Sequence, residues 1–261
     1  MKTLALICLL LPATIALAQF NFNKLNEFTD KFKAANNIGR DASKVVKGAS
    51  GIGVKEELVI GGSVAVEIVA KFGGLVRDEA ITRRANLIGK SLAYYCDRPE
   101  LTYRFGVLKS PSVNAFSAPG GYVFITRGLY DLLENDDQLA GVLAHEITHV
   151  TERHALKIIA RGEFFDGAAS LATDAGAAGK NRNFPEFSKG IKQITSTLFE
   201  KGFDPQTEYT ADTKGSRLAD STNYAADGLK QCLESLQKRQ SGRTEMFSTH
   251  PPLKNRIAKL D

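Results

Sequence analysis

Gly141-Val142-Leu143-Ala144-His145-Glu146-Ile147-Thr148-His149-Val150 is an apolar, proline-free run built on the pattern H-E-x-x-H. Residues four apart on an α-helix lie about 40° from one another around the axis, so His145 and His149 face the same way. Two imidazoles one turn apart can grip a single Zn²⁺ at about 2.0–2.1 Å. Glu146 borders that face without sharing it. A carboxylate there can take a proton from a metal-held water rather than bind the metal. The chain has only four histidines, so this spacing around a glutamate is not expected by accident. The competing reading is a surface helix that happens to carry histidines. Val142, Leu143, Ala144, Ile147 and Val150 argue against it, because they make the helix apolar nearly all round and therefore buried. Buried histidines need partners, which a metal would supply. The pattern points to a zinc-dependent endopeptidase.

A catalytic zinc usually takes three protein ligands and a water. On a continuous helix His154 would lie about 180° from His145 and about 140° from His149, so it reads as a packing or surface residue. The metzincin pattern would need a histidine one residue later, where Ala155 stands. Glu208-Tyr209-Thr210-Ala211-Asp212 offers a better candidate, with two carboxylates on one helix face at i, i+4. Glu208 would complete a His₂Glu set. Asp212 would accept the remaining N–H of a ligating imidazole and fix its tautomer. Spacing alone leaves a solvated acidic face as an equal reading.

With 261 residues, 43% hydrophobic and 24% charged, the chain is ordinarily globular and long enough to bury a core. Its first residues differ. Lys2, the apolar run Leu4 to Leu11 and Ala16-Leu17-Ala18 read as a secretory signal peptide cleaved after Ala18. The alternative is a retained N-terminal anchor. Cys8 follows bulky Ile7 and lies too early for a lipoprotein attachment site. Loss of Lys2 takes the formal charge from +5 to +4. No dense basic run with interleaved aromatics accompanies it, so nucleic acid is not an expected partner. Weak attraction to anionic membrane surfaces stays open. Gly61-Gly62 and Glu67 interrupt the longest later apolar run, Leu58 to Ala70, so no stable membrane insertion is expected. Cys96 and Cys232 would meet an oxidising compartment either as a disulfide or as two buried thiols.

The expected organisation is a signal peptide (1–18), an N-terminal arm (19–50, with a short helix near Asn26 to Ala35) and one domain (51–261). Helical spacing runs from Lys55 to Phe72, ended by Gly73-Gly74, and from Asp78 to Tyr95. Three strand-like runs follow, Leu101 to Leu108, Val113 to Ser117 and Gly121 to Thr126, then a short helix from Gly128 to Glu134. Asn135-Asp136-Asp137 can cap a long helix reaching about Arg161. Gly167 to Asn183 reads as a loop or weak helix. Helices are expected over Phe187–Gly202, Gln206–Asp220, Ala225–Gln240 and Lys254–Leu260.

Taken together, Asn114-Ala115-Phe116-Ser117-Ala118-Pro119-Gly120-Gly121, the run Leu139 to Val150, the Glu208…Asp212 element and Thr249-His250-Pro251-Pro252 resemble the prenyl-protease-related family of HExxH zinc metallopeptidases. The likeness runs from about Leu58 to the C-terminus and is nearest the soluble periplasmic members. It implies an α+β, mainly helical, gluzincin-type domain with a small β-sheet beside the HExxH helix. It also implies one Zn²⁺ per chain on His145, His149 and Glu208. The function implied is endoproteolysis of misfolded or misassembled envelope proteins in the periplasm. No tetratricopeptide-repeat segment follows Asp261 in this sequence, which leaves recruitment to a large assembly machine in doubt.

In the expected mechanism Glu146 moves the proton and His250, held rigid by Pro251-Pro252, stabilises the oxyanion. His250 could instead occupy the open zinc position and keep the enzyme latent, or be a structural loop residue. Arg256 reads as a charge-paired anchor for the tail. Val113 to Ser117, followed by Pro119-Gly120-Gly121, suggests an exposed edge strand that binds extended substrate by β-augmentation, with Asn114, Ala115 and Phe116 as the substrate-binding residues. An ordinary capped sheet edge is the plainer reading. The rival function is a metal-binding periplasmic holdase that cleaves nothing.

Overall fold

The computed structural model describes residues 52–160, 184–200, 202–239 and 250–260. The stretches read as a signal peptide and an N-terminal arm, and the Gly- and Ala-rich segment, lie outside the described residues. The elements in chain order are α1 (Val54–Lys71), α2 (Glu79–Tyr95), β1 (Arg104–Leu108), β2 (Ala115–Ala118), β3 (Tyr122–Thr126) and α3 (Arg127–Tyr130). They continue with α4 (Asp136–Thr151), α5 (His154–Ala160), α6 (Phe184–Glu200), α7 (Pro205–Ser221), α8 (Gly228–Arg239) and α9 (Leu253–Ile257). The fold is mainly helical with one small sheet, as expected.

Helix α4 organises the rest. Asn135 caps it by accepting the Gln138 N–H, and Asp136 and Asp137 place negative charge in the first turn, where the helix dipole favours it. Every side chain from Gln138 to Val150 is buried. Leu139, Leu143 and Ile147 enter a core with Ile88 and Leu92 of α2, Val123 and Ile125 of β3, and Leu229, Leu233 and Leu236 of α8. A second core joins Ile60, Val64 and Ile68 of α1 to Phe116, Phe124, Leu156, Ile159 and Ile191.

The sheet has strand order β1-β3-β2, with β1 parallel and β2 antiparallel to β3. β2 is thus a sheet edge, paired from Ala115↔Ile125 to Ala118↔Tyr122. It is not an exposed edge: Ala115, Phe116 and Ala118 are buried and only Ser117 is half-buried. Phe116 packs on Phe72 at 4.7 Å between ring centroids.

The long helix expected to reach Arg161 is broken. α4 ends at Thr151, Arg153 adopts a left-handed backbone (φ 57°), and α5 restarts at His154. The cause is tertiary. The Arg153 guanidinium donates to the Ile52 carbonyl and lies 3.6 Å from a Glu57 carboxylate oxygen, which holds the turn against α1. Glu57 is fully buried. It accepts hydrogen bonds from Arg98 at 2.9 and 3.0 Å and from the Gly120 N–H of the β2–β3 turn at 3.0 Å. Cys96 and Cys232 are two separate buried thiols. Among the described residues no helix is long and apolar enough to cross a membrane.

Candidate metal centre

His145 and His149 leave the same face of α4, and α7 brings Glu208 up to them. α7 begins with Asp204, whose side chain accepts the Thr207 N–H, and with Pro205 in the first turn. Where α7 crosses α4, Gly215 lies against the His145 backbone. A Cβ there would stand 2.8 Å from the His145 nitrogen. The His145 and His149 Nε2 atoms are 3.0 Å apart, and each faces one Glu208 carboxylate oxygen, at 3.5 and 3.6 Å. All three residues are buried.

This donor set fits a metal ion on two counts. Bonds of 2.0–2.1 Å in a tetrahedron put ligand atoms about 3.3 Å apart, close to the three separations seen. Glu208 Oε1 is also a buried oxygen with no hydrogen-bond partner among the described residues, an expensive state unless a cation faces it. His145, His149 and Glu208 could together hold such an ion.

The surroundings orient the donors. His145 turns its Nδ1 to Asp212 Oδ1 at 2.8 Å, the contact expected from the i, i+4 carboxylates. Arg256 of α9 donates to both Asp212 oxygens, from Nε to Oδ2 at 2.9 Å and from a terminal nitrogen at 2.6 Å to Oδ1, the oxygen His145 also meets. Burial and the Arg256 charge push the His145 imidazole down, but Asp212 and Glu208 outweigh them and raise it to about 9. Burial would raise Glu208 too. Its neighbours His250, His145 and His149 instead hold it well below the ordinary carboxylate range. Arg256 pairs with Asp212, which leaves Glu208 as the carboxylate that faces the two imidazoles.

Glu146 is buried beside the pair, and burial pushes its carboxyl up. Ser117 of β2 lines the same cleft as Glu146. His250 places Nδ1 2.6 Å from Glu208 Oε2, beside the donors on the tail side. Ala115, Phe116 and Ser117 line a narrow cleft with Glu146, His250, Leu198 and Phe203. Asn114 lies behind it, where its carbonyl accepts the Thr126 N–H and its side-chain oxygen accepts the Ala115 N–H.

Three neighbours escaped the sequence reading. Glu57 ties the β2–β3 turn to α1, Phe203 stacks on His149 at 4.4 Å, and His154 meets His149. The angular argument on His154 assumed an unbroken helix. With the break, the residue turns inward and is buried. One glutamate of the Lys55-Glu56-Glu57 run and a phenylalanine after Gly202 carry no pattern that would have revealed the other two.

A buried H-E-x-x-H helix met by a glutamate from a later helix, beside a small sheet, defines a metallopeptidase domain of the gluzincin type. The chain belongs to peptidase family M48, whose family model matches residues 80–261. It is 30% identical over 193 residues to the beta-barrel assembly-enhancing protease of Escherichia coli (strain K12), covering 70% of this chain and 39% of that protein. It is 31% identical over 169 residues to the mitochondrial metalloendopeptidase OMA1 of Schizosaccharomyces pombe, covering 62% of this chain and 47% of the relative. A protease HtpX homolog of Dictyoglomus thermophilum is 28% identical over 234 residues, 74% of each chain. The matched part thus spans less than half the length of the first two relatives. The chain is thus a member of a metallopeptidase family.

Proposed function

We propose that this chain is a zinc-dependent endopeptidase, exported to the periplasm, that cleaves unfolded or misassembled envelope proteins. The observation that carries the catalytic reading is the convergence of His145, His149 and Glu208 around one point, with Glu146 buried beside it. Zinc held there would polarise the scissile carbonyl and make a water acidic enough to act at neutral pH.

The chain's own residues supply the rest. Glu146, its carboxyl pushed up by burial, takes a proton from the attacking water and passes it to the leaving amine. Ser117 lines the cleft beside that carboxylate. His250 donates a hydrogen bond to the developing oxyanion. Main-chain groups along Ala115 to Ser117 bind an extended substrate segment, which unfolded chains offer and folded ones hide. Because the strand is buried, substrate entry widens the cleft between it and Leu198–Phe203.

Export rests on the sequence of residues 1–18. The envelope substrate class is supported by the name of the Escherichia coli relative, a beta-barrel assembly-enhancing protease. The test is metal analysis of the purified chain together with casein digestion, with and without chelator, for the native protein and Glu146→Gln. The variant should keep its metal and substrate binding and lose cleavage by at least about 100-fold, the lower end of the general acid–base range. Equal digestion by both, or digestion untouched by chelator, would overturn the proposal.

A further inference from the structure

The two histidines that face Glu208 are oriented by different means. His145 turns Nδ1 to a carboxylate, that of Asp212, at 2.8 Å. His149 turns Nδ1 to another imidazole: His154 Nδ1 lies 2.9 Å away, and the rings meet edge to face at 5.0 Å and 71°. The Phe203 ring lies flat on His149 at 4.4 Å and 17°, and touches His154 at 5.7 Å. His149 is therefore fixed on its face by Phe203, at its Nε2 edge by the donor set and at its Nδ1 edge by His154.

Bringing His154 there takes a specific device. It is the first residue of α5, placed by the left-handed Arg153 that interrupts what would have been one helix. A plain continuation would have carried it to the opposite side of α4. It is buried, and among the described residues its hydrogen-bonding partner is His149.

If His149 presents Nε2 to a metal, its Nδ1 must carry the proton, and that N–H needs an acceptor. We propose that His154 is a positioning residue for the metal centre, its Nδ1 lone pair accepting the His149 Nδ1–H and so fixing the tautomer and ring plane of the second histidine donor. His154 then carries its own proton on Nε2. A neutral acceptor strengthens His149 as a donor less than a carboxylate would, so the pair is asymmetric, with His145 the more basic. The inference rests on the reading of His145, His149 and Glu208 as metal donors.

The test compares two substitutions with the same number and branching of side-chain heavy atoms in the full chain, His154→Leu and His154→Asn. The asparagine side-chain oxygen stands about where Nδ1 stood and can accept the same bond; leucine cannot. Zinc affinity is read by competition with a chromophoric chelator, and ring orientation by the visible absorption of the cobalt-substituted protein. His154→Leu should bind zinc about 10–100-fold more weakly, the usual effect of losing such a partner, with altered cobalt bands. His154→Asn should remain within about threefold of the native chain, with native-like bands, since the acceptor persists. Circular dichroism of the metal-free proteins reports folding. Should the leucine variant not fold, His154→Phe keeps a ring without the acceptor and takes its place. Equal affinities and spectra for the variant lacking the acceptor and the native chain, or equal losses in both variants, would overturn the inference alone. A native chain that takes up no zinc would overturn the donor reading beneath it.

Discussion

Arg256 and Asp212 form a two-point ion pair sealed from solvent, with side-chain exposures of 2% and 0%, one hydrogen bond behind His145. The pair ties the C-terminal helix to the metal centre. Paired buried charges are not strongly stabilising by themselves, but a buried charge that loses its partner is costly. Arg256→Met is therefore expected to destabilise the protein by about 3–5 kcal/mol, read as a lower urea midpoint at unchanged slope. Arg256→Lys should recover little, because an ammonium cannot reproduce the guanidinium fork. Full recovery by lysine would show that charge alone matters.

Acid should act through the same carboxylate. Burial would raise Asp212, but the Arg256 and His145 contacts outweigh it and hold the group well below the ordinary value of 3.8. A carboxyl with a depressed folded-state pKa contributes stability fully above its unfolded value, and loses it as pH falls toward the folded one. Below about pH 4 the metal-free native chain should lose stability more steeply than Asp212→Asn. Parallel acid titrations of the two would refute this.

Helix α1 lies outside residues 80–261, yet the domain depends on it. It supplies Ile60, Val64 and Ile68 to the second core and Glu57 to Arg98, Arg153 and the Gly120 N–H. Glu57→Ala would leave two arginines short of their shared carboxylate, at a cost of about 3–5 kcal/mol. A chain beginning at residue 80 should not fold cooperatively, as judged by its thermal transition. A sharp native-like transition in that truncated chain would show α1 to be dispensable.

Much of this site was legible in the sequence because its chemistry is local. H-E-x-x-H and Glu208…Asp212 each occupy one helix, so helical spacing alone puts their side chains on shared faces. The resemblance then paired the two helices, which spacing could not. What stayed hidden depends on contacts between distant segments. The break at Arg153 is imposed by Ile52 and Glu57, about a hundred residues earlier, and nothing near position 153 announces it. The same holds for β2. Alternation and Pro119-Gly120 mark a strand end, but its covering comes from Phe72, Leu198 and Phe203, on elements that flank it only after folding.

Gly215 decides how closely α7 approaches α4. In an isolated helix a Gly→Ala change would stabilise by about 1 kcal/mol. Here the added Cβ would stand 2.8 and 2.9 Å from the His145 nitrogen and Cα, and backbone cannot swing aside as a side chain can. Overpacking of this kind costs about 1–3 kcal/mol, so the net effect of Gly215→Ala should be destabilising. Relief would come by pushing α7 outward, and Glu208 sits two turns away on that helix, about 10 Å along its axis. The variant should therefore lose zinc affinity as well as stability, by tenfold or more if each carboxylate–imidazole separation opens by even half an ångström, since coordination tolerates only about 0.2 Å. Isothermal titration with zinc, run beside a urea melt of the metal-free protein, separates the two effects. A variant that is less stable but binds zinc as tightly as the native chain would show that the crossing point sets packing without setting the position of Glu208.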